Sequence, residues 1–137
     1  MMVNSRFAVA IHILSLIAVT KDRTVLTSDF IAGSVNTNPV VVRRISSQLK
    51  KAHLLSSTAG VSGYALTKQP QQISLLEIYK AVQAPDELFA LHKSPNPACD
   101  VGKQINGVLT NVFDTVQQAM EREMQQQSLQ HILDRLQ

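Results

Sequence analysis

The chain has 137 residues, of which 45% are hydrophobic and 17% charged, a composition typical of one globular domain rather than of a disordered chain. Its single cysteine excludes an internal disulfide framework and fits a reducing compartment, and 4% aromatic residues without tryptophan argue against a stacking platform for single-stranded nucleic acid. The net charge of +3 divides into a basic half, residues 1–68 with eight Lys/Arg and two acids, and an acidic half with five and eight, and a basic half is typical of a module that binds a polyanion.

The first predicted helix runs from Ser5, its predicted cap, to Val19. Residues 7–19 are apolar enough to resemble an export signal, but no small-residue cleavage site follows them. His12 and Ser15 interrupt the run, which is also too short to span a bilayer. We therefore predict a buried helix in a cytoplasmic protein that has no membrane partner.

The second predicted helix lies within residues 25–35, and either Thr27 or Ser28 is its N-cap. Three of its residues are expected to supply apolar contacts: Phe30, Ile31 and Val35. A short polar turn, residues 36–38, separates it from the third helix.

The third predicted helix starts with Asn38 as its cap and Pro39 at its first position, the arrangement that proline favours. Val42, Ile45 and Leu49 recur at helical spacing, so this stripe is expected to face a core. His53 ends the helix at a place where glycine is usual.

Residues 53–67 predict a β-hairpin with a flexible tip at Ala59–Gly63. After a break at residues 68–72, Ser74 and Glu77 form a predicted capping box, so a fourth helix should begin at about Leu75.

Residues 84–100 contain three prolines and predict a short turn of helix followed by an irregular loop. A long helix then begins at Val101, and Ser128 caps a last short helix. We therefore divide the chain into a DNA-binding domain (1–83), a loop (84–100) and a C-terminal segment (101–137). The predicted fold is mainly α with a small β-hairpin: a winged helix-turn-helix plus a long C-terminal dimerisation helix.

Charged and polar side chains gather on the exposed side of the third helix, whose N-terminal part would enter the major groove of DNA. Arginine can bond guanine bidentately or hold phosphate, the helix N-terminus binds phosphate, and valine can contact thymine methyl groups. The alternative is an ordinary solvated face of a core helix. The candidate DNA-binding residues of the helix-turn-helix are Ser28, Asn38, Val40, Val41, Arg43, Arg44, Ser47, Lys50 and Lys51.

The wing tip carries no charge, so only backbone amides, Thr58 and Ser62 could contact the minor groove there. A plain hairpin tip remains an equal interpretation of these residues.

Cys99 precedes the long helix and admits two interpretations: an inert cysteine, or a thiol with a lowered pKa that senses oxidants. The nearby His92 and Asp100 match no standard zinc spacing, and the chain contains no catalytic motif, so we predict neither a metal site nor an enzyme.

The long helix has more apolar surface than the core of a small domain can cover, and pairing with a second copy would bury it. Its predicted dimerisation residues are Val101, Ile105, Val108, Leu109, Val112, Phe113, Val116 and Met120.

Four segments resemble the winged-helix regulators typified by IscR, NsrR and CymR, the Rrf-two family: Ile31-Ala32, LKKAHLLSS at 49–57, GVSGYAL at 60–66 and ISLLEI at 73–78. The resemblance implies a dimeric DNA-binding transcription factor, in most members a repressor, whose long C-terminal helices cross between protomers. Some members hold an iron–sulfur cluster on three cysteines in the loop before that helix. Only the last of the three is matched here, by Cys99, so no cofactor is expected. Ala59 stands where the family's wing usually has a basic residue.

These observations together predict a homodimeric, sequence-specific regulator that binds double-stranded DNA and represses transcription. The alternatives are a winged-helix module that binds another protein, or a redox sensor acting through Cys99. An unknown protein or small-molecule effector is a further possible partner.

Overall fold

The computed structural model describes residues 5–83 and 89–136, which form six α-helices, one hairpin and two short 3₁₀ turns. The elements in chain order are α1 (Arg6–Val19), a first 3₁₀ turn (Arg23–Val25), α2 (Ser28–Val35), α3 (Pro39–Lys51), β1 (Leu55–Thr58), β2 (Val61–Leu66), a second 3₁₀ turn (Pro70–Gln72), α4 (Leu75–Val82), α5 (Asp100–Gln126) and α6 (Leu129–Arg135). The prediction of a mainly helical fold with one small hairpin is confirmed. None of the helices in the described ranges is long and apolar enough to cross a membrane.

One apolar core joins α1, α2, α3, α4 and the start of the hairpin. The predicted stripe of α3 is confirmed, because Val42, Ile45 and Leu49 are fully buried. Burying a side chain of this size contributes roughly 1.5–3 kcal/mol. This stripe fixes which side of α3 remains free for a partner.

The helix termini confirm some predicted caps and correct others. Thr27, not Ser28, caps α2 by accepting from the amide of Phe30, and Asn38 caps α3. Ser5 occupies the N-cap position of α1 as predicted, but its side chain makes no capping hydrogen bond, so only the position is confirmed. Phe30 was also misassigned: it is 47% exposed, since α2 directs Ile31 and Ala32 into the core instead.

The predicted capping box of α4 is only half formed. Ser74 Oγ accepts from the amide of Glu77 at 3.1 Å, but the Glu77 carboxylate lies 3.0 Å from Lys68 Nζ. The ion pair engages Oε1 and directs the side chain toward Lys68, and Oε2 is left without a hydrogen-bond partner, so the return bond of the box to the Ser74 amide is not made.

The C-terminus of α3 ends in a Schellman motif. His53 adopts the left-handed conformation (φ 61°), its amide donates to Lys50 O, and the amide of Leu54 donates to Leu49 O, both at 3.0 Å. The motif satisfies two carbonyl groups of the last turn and directs the chain into β1.

The hairpin strands are antiparallel, with Leu55 opposite Leu66 and Thr58 opposite Val61. Its turn is shorter than predicted, because β2 already begins at Val61 and leaves Ala59 and Gly60 between the strands. Gly60, the second of these two residues, has a positive φ of 79°, a conformation that glycine adopts without steric cost.

The C-terminal segment leaves the core along α5 and returns to it through α6. Leu129 is fully buried in the same cluster as the α1 and α4 residues, and Ser128 caps α6 as predicted. Two backbone hydrogen bonds close this return, from Leu75 N to Gln127 O at 2.9 Å and from Leu129 N to Ile73 O at 2.8 Å.

The residues before α5 are described only in part. The short turn of helix was predicted within residues 84–100. Residues 84–88 lie outside the described residues, and residues 89–99 form an irregular loop without helix or strand. This loop is held against α5 by a hydrogen bond from Asn106 Nδ2 to His92 O (3.1 Å) and by contact between the Phe89 and Phe113 rings.

Candidate nucleic-acid interface

A tight turn places α3 across α2, as in a helix-turn-helix. Asn36 ends α2 in the left-handed conformation (φ 63°), and the amide of Thr37 donates to Ala32 O at 3.0 Å. Asn38 then caps the start of α3, so only three residues, 36–38, separate the helices. Asparagine tolerates the left-handed region better than most residues, which suits it to this turn.

The side-chain oxygen of Asn38 is hydrogen-bonded to the backbone of α3 itself. Oδ1 accepts from the amides of Val40 (2.8 Å) and Val41 (3.2 Å), two of the donors that a helix start leaves unpaired. Its role is therefore to hold the leading turn of α3 in shape, and the Oδ1 atom is not free to bind another group.

Two of the three valines of the leading turn differ in exposure. Val40 is 53% exposed on the outer surface of the helix, whereas Val41 is half-buried and packs against the core. Of the two valines predicted to contact the groove, Val40 thus has the greater surface available for contact.

The basic side of α3 is open. Arg43, Arg44, Ser47 and Lys51 are all exposed. No ion pair ties either arginine or Lys51 to an acid within the described ranges. Guanidinium groups left free in this way can bond a base edge or a phosphate.

Lys50 joins α3 to the wing. Its Nζ lies 3.0 Å from Ser57 Oγ and 3.4 Å from Ser57 O, a contact that the sequence did not suggest. The ammonium has three donors, so it can hold Ser57 and still donate to a phosphate.

The remaining predicted residues divide between the body and the tip of the wing. Ser28 Oγ lies 3.1 Å from Tyr64 OH and so links α2 to β2. Ser62 Oγ donates to Thr24 O at 3.0 Å, whereas Thr58 is exposed on β1. Ser28 and Ser62 thus connect parts of the domain, and Thr58 is the predicted wing hydroxyl that faces solvent.

The wing also contacts the first 3₁₀ turn through the backbone of Gly63. This glycine has φ 89°, and a Cβ placed on it would overlap the carbonyl oxygen of Arg23 and lie 2.9 Å from its carbonyl carbon. Only glycine allows the two backbones to approach so closely. Asp22 stabilises the turn by accepting from the side chain and the amide of Thr24, and these bonds lower the pKa of its carboxyl group.

Along α5, the predicted dimerisation residues form two rows. One row is exposed and contains the valines Val101, Val108, Val112 and Val116, which are 45–68% accessible. The other members, Ile105, Leu109, Phe113 and Met120, are half-buried. The exposed row repeats at spacings of seven, four and four residues and therefore follows one side of the helix.

Cys99 is exposed at the N-cap position of α5. The backbone amides of Gly102 and then Val101 lower the pKa of its thiol below the ordinary value, because a helix N-terminus favours the thiolate. Within residues 5–83 and 89–136, no three His, Cys, Asp or Glu side chains are placed to hold a metal ion.

Comparison with known proteins agrees with this geometry. Residues 3–135 match the model of the Rrf2 family, described as iron-dependent transcriptional regulators. The chain is 56% identical to YwnA of Bacillus subtilis (strain 168), a candidate HTH-type transcriptional regulator, over 98% of this chain and 99% of that protein.

Solved structures show the same fold. A crystal structure of a candidate DNA-binding protein is 51% identical, with a TM-score of 0.78 over 94% of this chain and 99% of its own. CymR of B. subtilis, a global cysteine regulator, has a TM-score of 0.70 at 17% identity, covering 100% of this chain and 99% of CymR, and so supports the fold alone. The family model and the 56% identical relative are both described as transcriptional regulators, in agreement with the prediction that the chain is not an enzyme. The chain belongs to the Rrf2 family of winged-helix transcriptional regulators.

Proposed function

We propose that this protein is a homodimeric regulator that binds a specific duplex DNA sequence through α3 and represses transcription. The observation that carries the proposal is the division of α3 into two sides. Val42, Ile45 and Leu49 are fully buried, while Arg43, Arg44 and Ser47 are exposed and carry no protein partner in the described chain. A helix held so firmly on one side presents the other at a fixed angle, as base readout requires.

The exposed residues divide by chemistry into two roles. Val40, Arg43 and Arg44 on the first turns would read base edges. Lys50, Lys51 and, at the helix N-terminus, the side-chain amide nitrogen of Asn38 would position the protein on phosphates, because the amides of Val40 and Val41 are already bonded to Asn38 Oδ1. Ser28, Ser47 and Thr58 would add hydroxyl contacts to the backbone at the edges of this surface.

A second copy of the chain would cover the exposed valine row of α5. Four valines on one side of a helix form a contiguous apolar strip, which a stable monomer seldom leaves in water. A symmetric pair would bury both rows and would present two α3 helices to a pseudo-palindromic site.

The family description raises the question of an iron–sulfur cluster, and the residues present do not fit one. A family-type cluster needs three cysteines in the loop before α5, and the chain has Cys99 alone. We therefore derive no step through iron, and we propose that this member regulates without such a cluster.

The exposure and lowered pKa of Cys99 favour a second candidate function, a thiol sensor. Peroxide would oxidise the thiolate to a sulfenic acid at the start of α5. If Cys99→Ser and wild type retain equal DNA affinity after peroxide treatment, the sensor hypothesis fails while DNA binding is unaffected.

Selection of bound duplexes from a random library tests the main proposal. The expected result is a site with two half-sites related by a two-fold axis. Recovery of unrelated sequences, together with capture of a stoichiometric protein partner, would instead favour the protein-interaction module.

Two pairs of variants then separate base readout from phosphate binding on the selected site. Arg43→Ala should relax specificity at one base step by about 1–3 kcal/mol, whereas Arg122→Ala, an exposed arginine on α5, should not. Lys51→Ala should weaken binding to all duplexes and reduce the salt slope by about 0.9, whereas Lys103→Ala should leave it unchanged. Equal specificity profiles for Arg43→Ala and Arg122→Ala would remove α3 from the readout.

Sedimentation equilibrium tests the dimer against the chain mass of 15.1 kDa. Val108→Glu and Val112→Glu should dissociate a species of twice that mass, while Val19→Glu, which changes an equally exposed valine on α1, should not. Repression is tested in cells: deleting the gene should raise transcription from promoters that carry the selected site, and a fall would reverse the proposed sign.

A further inference from the structure

The apex of the wing lacks the basic side chains through which wings often contact the minor groove. The five residues Thr58–Ser62 contain no charge, and Val61 is 52% exposed among them. A single exposed valine is ordinary on a protein surface. This one lies at the point of the hairpin that the winged-helix arrangement directs toward the minor groove.

Four contacts fix the apex relative to α3. Ser62 Oγ donates to Thr24 O, and Lys50 Nζ holds Ser57 Oγ, each at 3.0 Å. Ser28 Oγ lies 3.1 Å from Tyr64 OH, and the backbone of Gly63 rests on Arg23. These contacts reach α2, α3 and the first 3₁₀ turn, so the hairpin is held from three sides close to its tip.

A fixed apolar tip can discriminate among the groups that line a groove, whereas a flexible basic side chain that holds phosphate adds an attraction that carries no sequence information directly. In the minor groove, A·T and G·C pairs differ mainly by the exocyclic amino group of guanine, which projects into the groove. Valine offers no acceptor to that amino group, and placing it there would remove the donor from water without compensation. Ala59 and Gly60 add no side-chain acceptor beside it, and the hydroxyl of Thr58, opposite Val61 in the hairpin, is assigned to the DNA backbone.

We propose that Val61 is a specificity-determining residue that contacts the minor groove beside the α3 half-site and rejects base pairs carrying the guanine amino group. The inference rests on the proposed DNA-binding function. It assigns the uncharged wing a role in sequence discrimination. The site would then be read by α3 in the major groove and by Val61 in the minor groove.

The test varies one flanking base pair of the selected operator through A·T, I·C and G·C. Inosine keeps the major-groove edge of guanine but lacks the amino group in the minor groove. Wild-type protein should bind the A·T and I·C duplexes equally and the G·C duplex about 5-fold more weakly or worse. Scanning the pair along the flank should confine the effect to the positions that the wing reaches.

Two variants distinguish a direct contact of Val61 with the base pair from an effect of DNA deformability. The distinction is needed because I·C pairs also change the width of the minor groove. Val61→Thr is isosteric and folds alike, but its hydroxyl can accept from guanine, so the G·C penalty should shrink. Val61→Lys should bind all three duplexes more tightly, with a salt slope steeper by about 0.9, and should discriminate less.

Three outcomes would overturn the inference: wild-type binding that ignores the flank, I·C duplexes that behave as G·C, or an unchanged penalty in both variants. None of these touches the proposed function, which stands as long as the half-site core is bound specifically. Loss of specific duplex binding altogether would instead remove both.

Discussion

Substituting Gly63 with alanine should damage the fold far more than the same change at Gly60. Both glycines have positive φ, 89° and 79°, so alanine pays about 1–2 kcal/mol of backbone strain at either position. A Cβ at Gly60 meets nothing within 4 Å, whereas a Cβ at Gly63 overlaps the carbonyl oxygen of Arg23. The oxygen belongs to the backbone of Arg23, and the position of a Cβ is fixed by the backbone that carries it, so the strand or the 3₁₀ turn must move.

Overpacking of this kind costs about 1–3 kcal/mol on top of the strain, so we expect a total of about 2–5 kcal/mol for Gly63→Ala. With a urea m-value of about 2 kcal/mol/M, its midpoint should fall by about 1–2.5 M, against about 0.5–1 M for Gly60→Ala. The two curves should be measured at one protein concentration, because dimerisation adds to apparent stability. Equal midpoints would refute the close approach of the wing to Arg23.

Three substitutions test the boundaries of α3, and one labelling experiment tests the thiol. Asn38→Ala should lower the free energy of unfolding by about 0.5–2 kcal/mol in urea titrations. Asn38→Asp keeps the capping oxygen, and with it the stability, but places a negative charge at the helix start. It should therefore weaken DNA binding measured by fluorescence anisotropy. Unchanged affinity would mean that this helix start does not lie near a phosphate. His53→Gly should stabilise the protein by roughly 0.5–1 kcal/mol, since glycine adopts the left-handed conformation without strain; a loss would mean that the imidazole itself contributes. Cys99 should react with iodoacetamide with a pH midpoint below that of an ordinary thiol, because its lowered pKa leaves more thiolate near neutral pH, and a midpoint at the ordinary value would contradict that shift.

The sequence predicts those features that depend on neighbours along the chain. Asn38 with Pro39 marks the start of α3, and Ser128 marks the start of α6, because a cap and its amides lie within three residues. His53 could be identified as an unusual helix end for the same reason. The valines of α5 could be assigned to one side of a helix from their spacing alone.

Contacts between distant residues could not be predicted in this way. Nothing local indicates that Ser62 meets Thr24, 38 residues away, or that Tyr64 meets Ser28 across 36. Glu77 looks like half of a capping box until Lys68 is placed beside it. Phe30 fits the spacing of an apolar helical stripe in the sequence, but the packing of α2 against α3 leaves its side chain at the surface. Each miss arises because tertiary packing outweighs a local preference.

The burial of Leu129 has a consequence for the order in which the chain can fold. The core that supports α3 is formed largely by residues 10–82, yet it is closed by a side chain nearly 50 residues further on. During synthesis from the N-terminus, the pocket between α1 and the start of α4 therefore stays open until α5 has been made and α6 has emerged. A chain shortened before Leu129 would expose Ile73 and its neighbours to water, although every residue assigned to DNA contact would still be present. The core that supports α3 is thus completed only by α6.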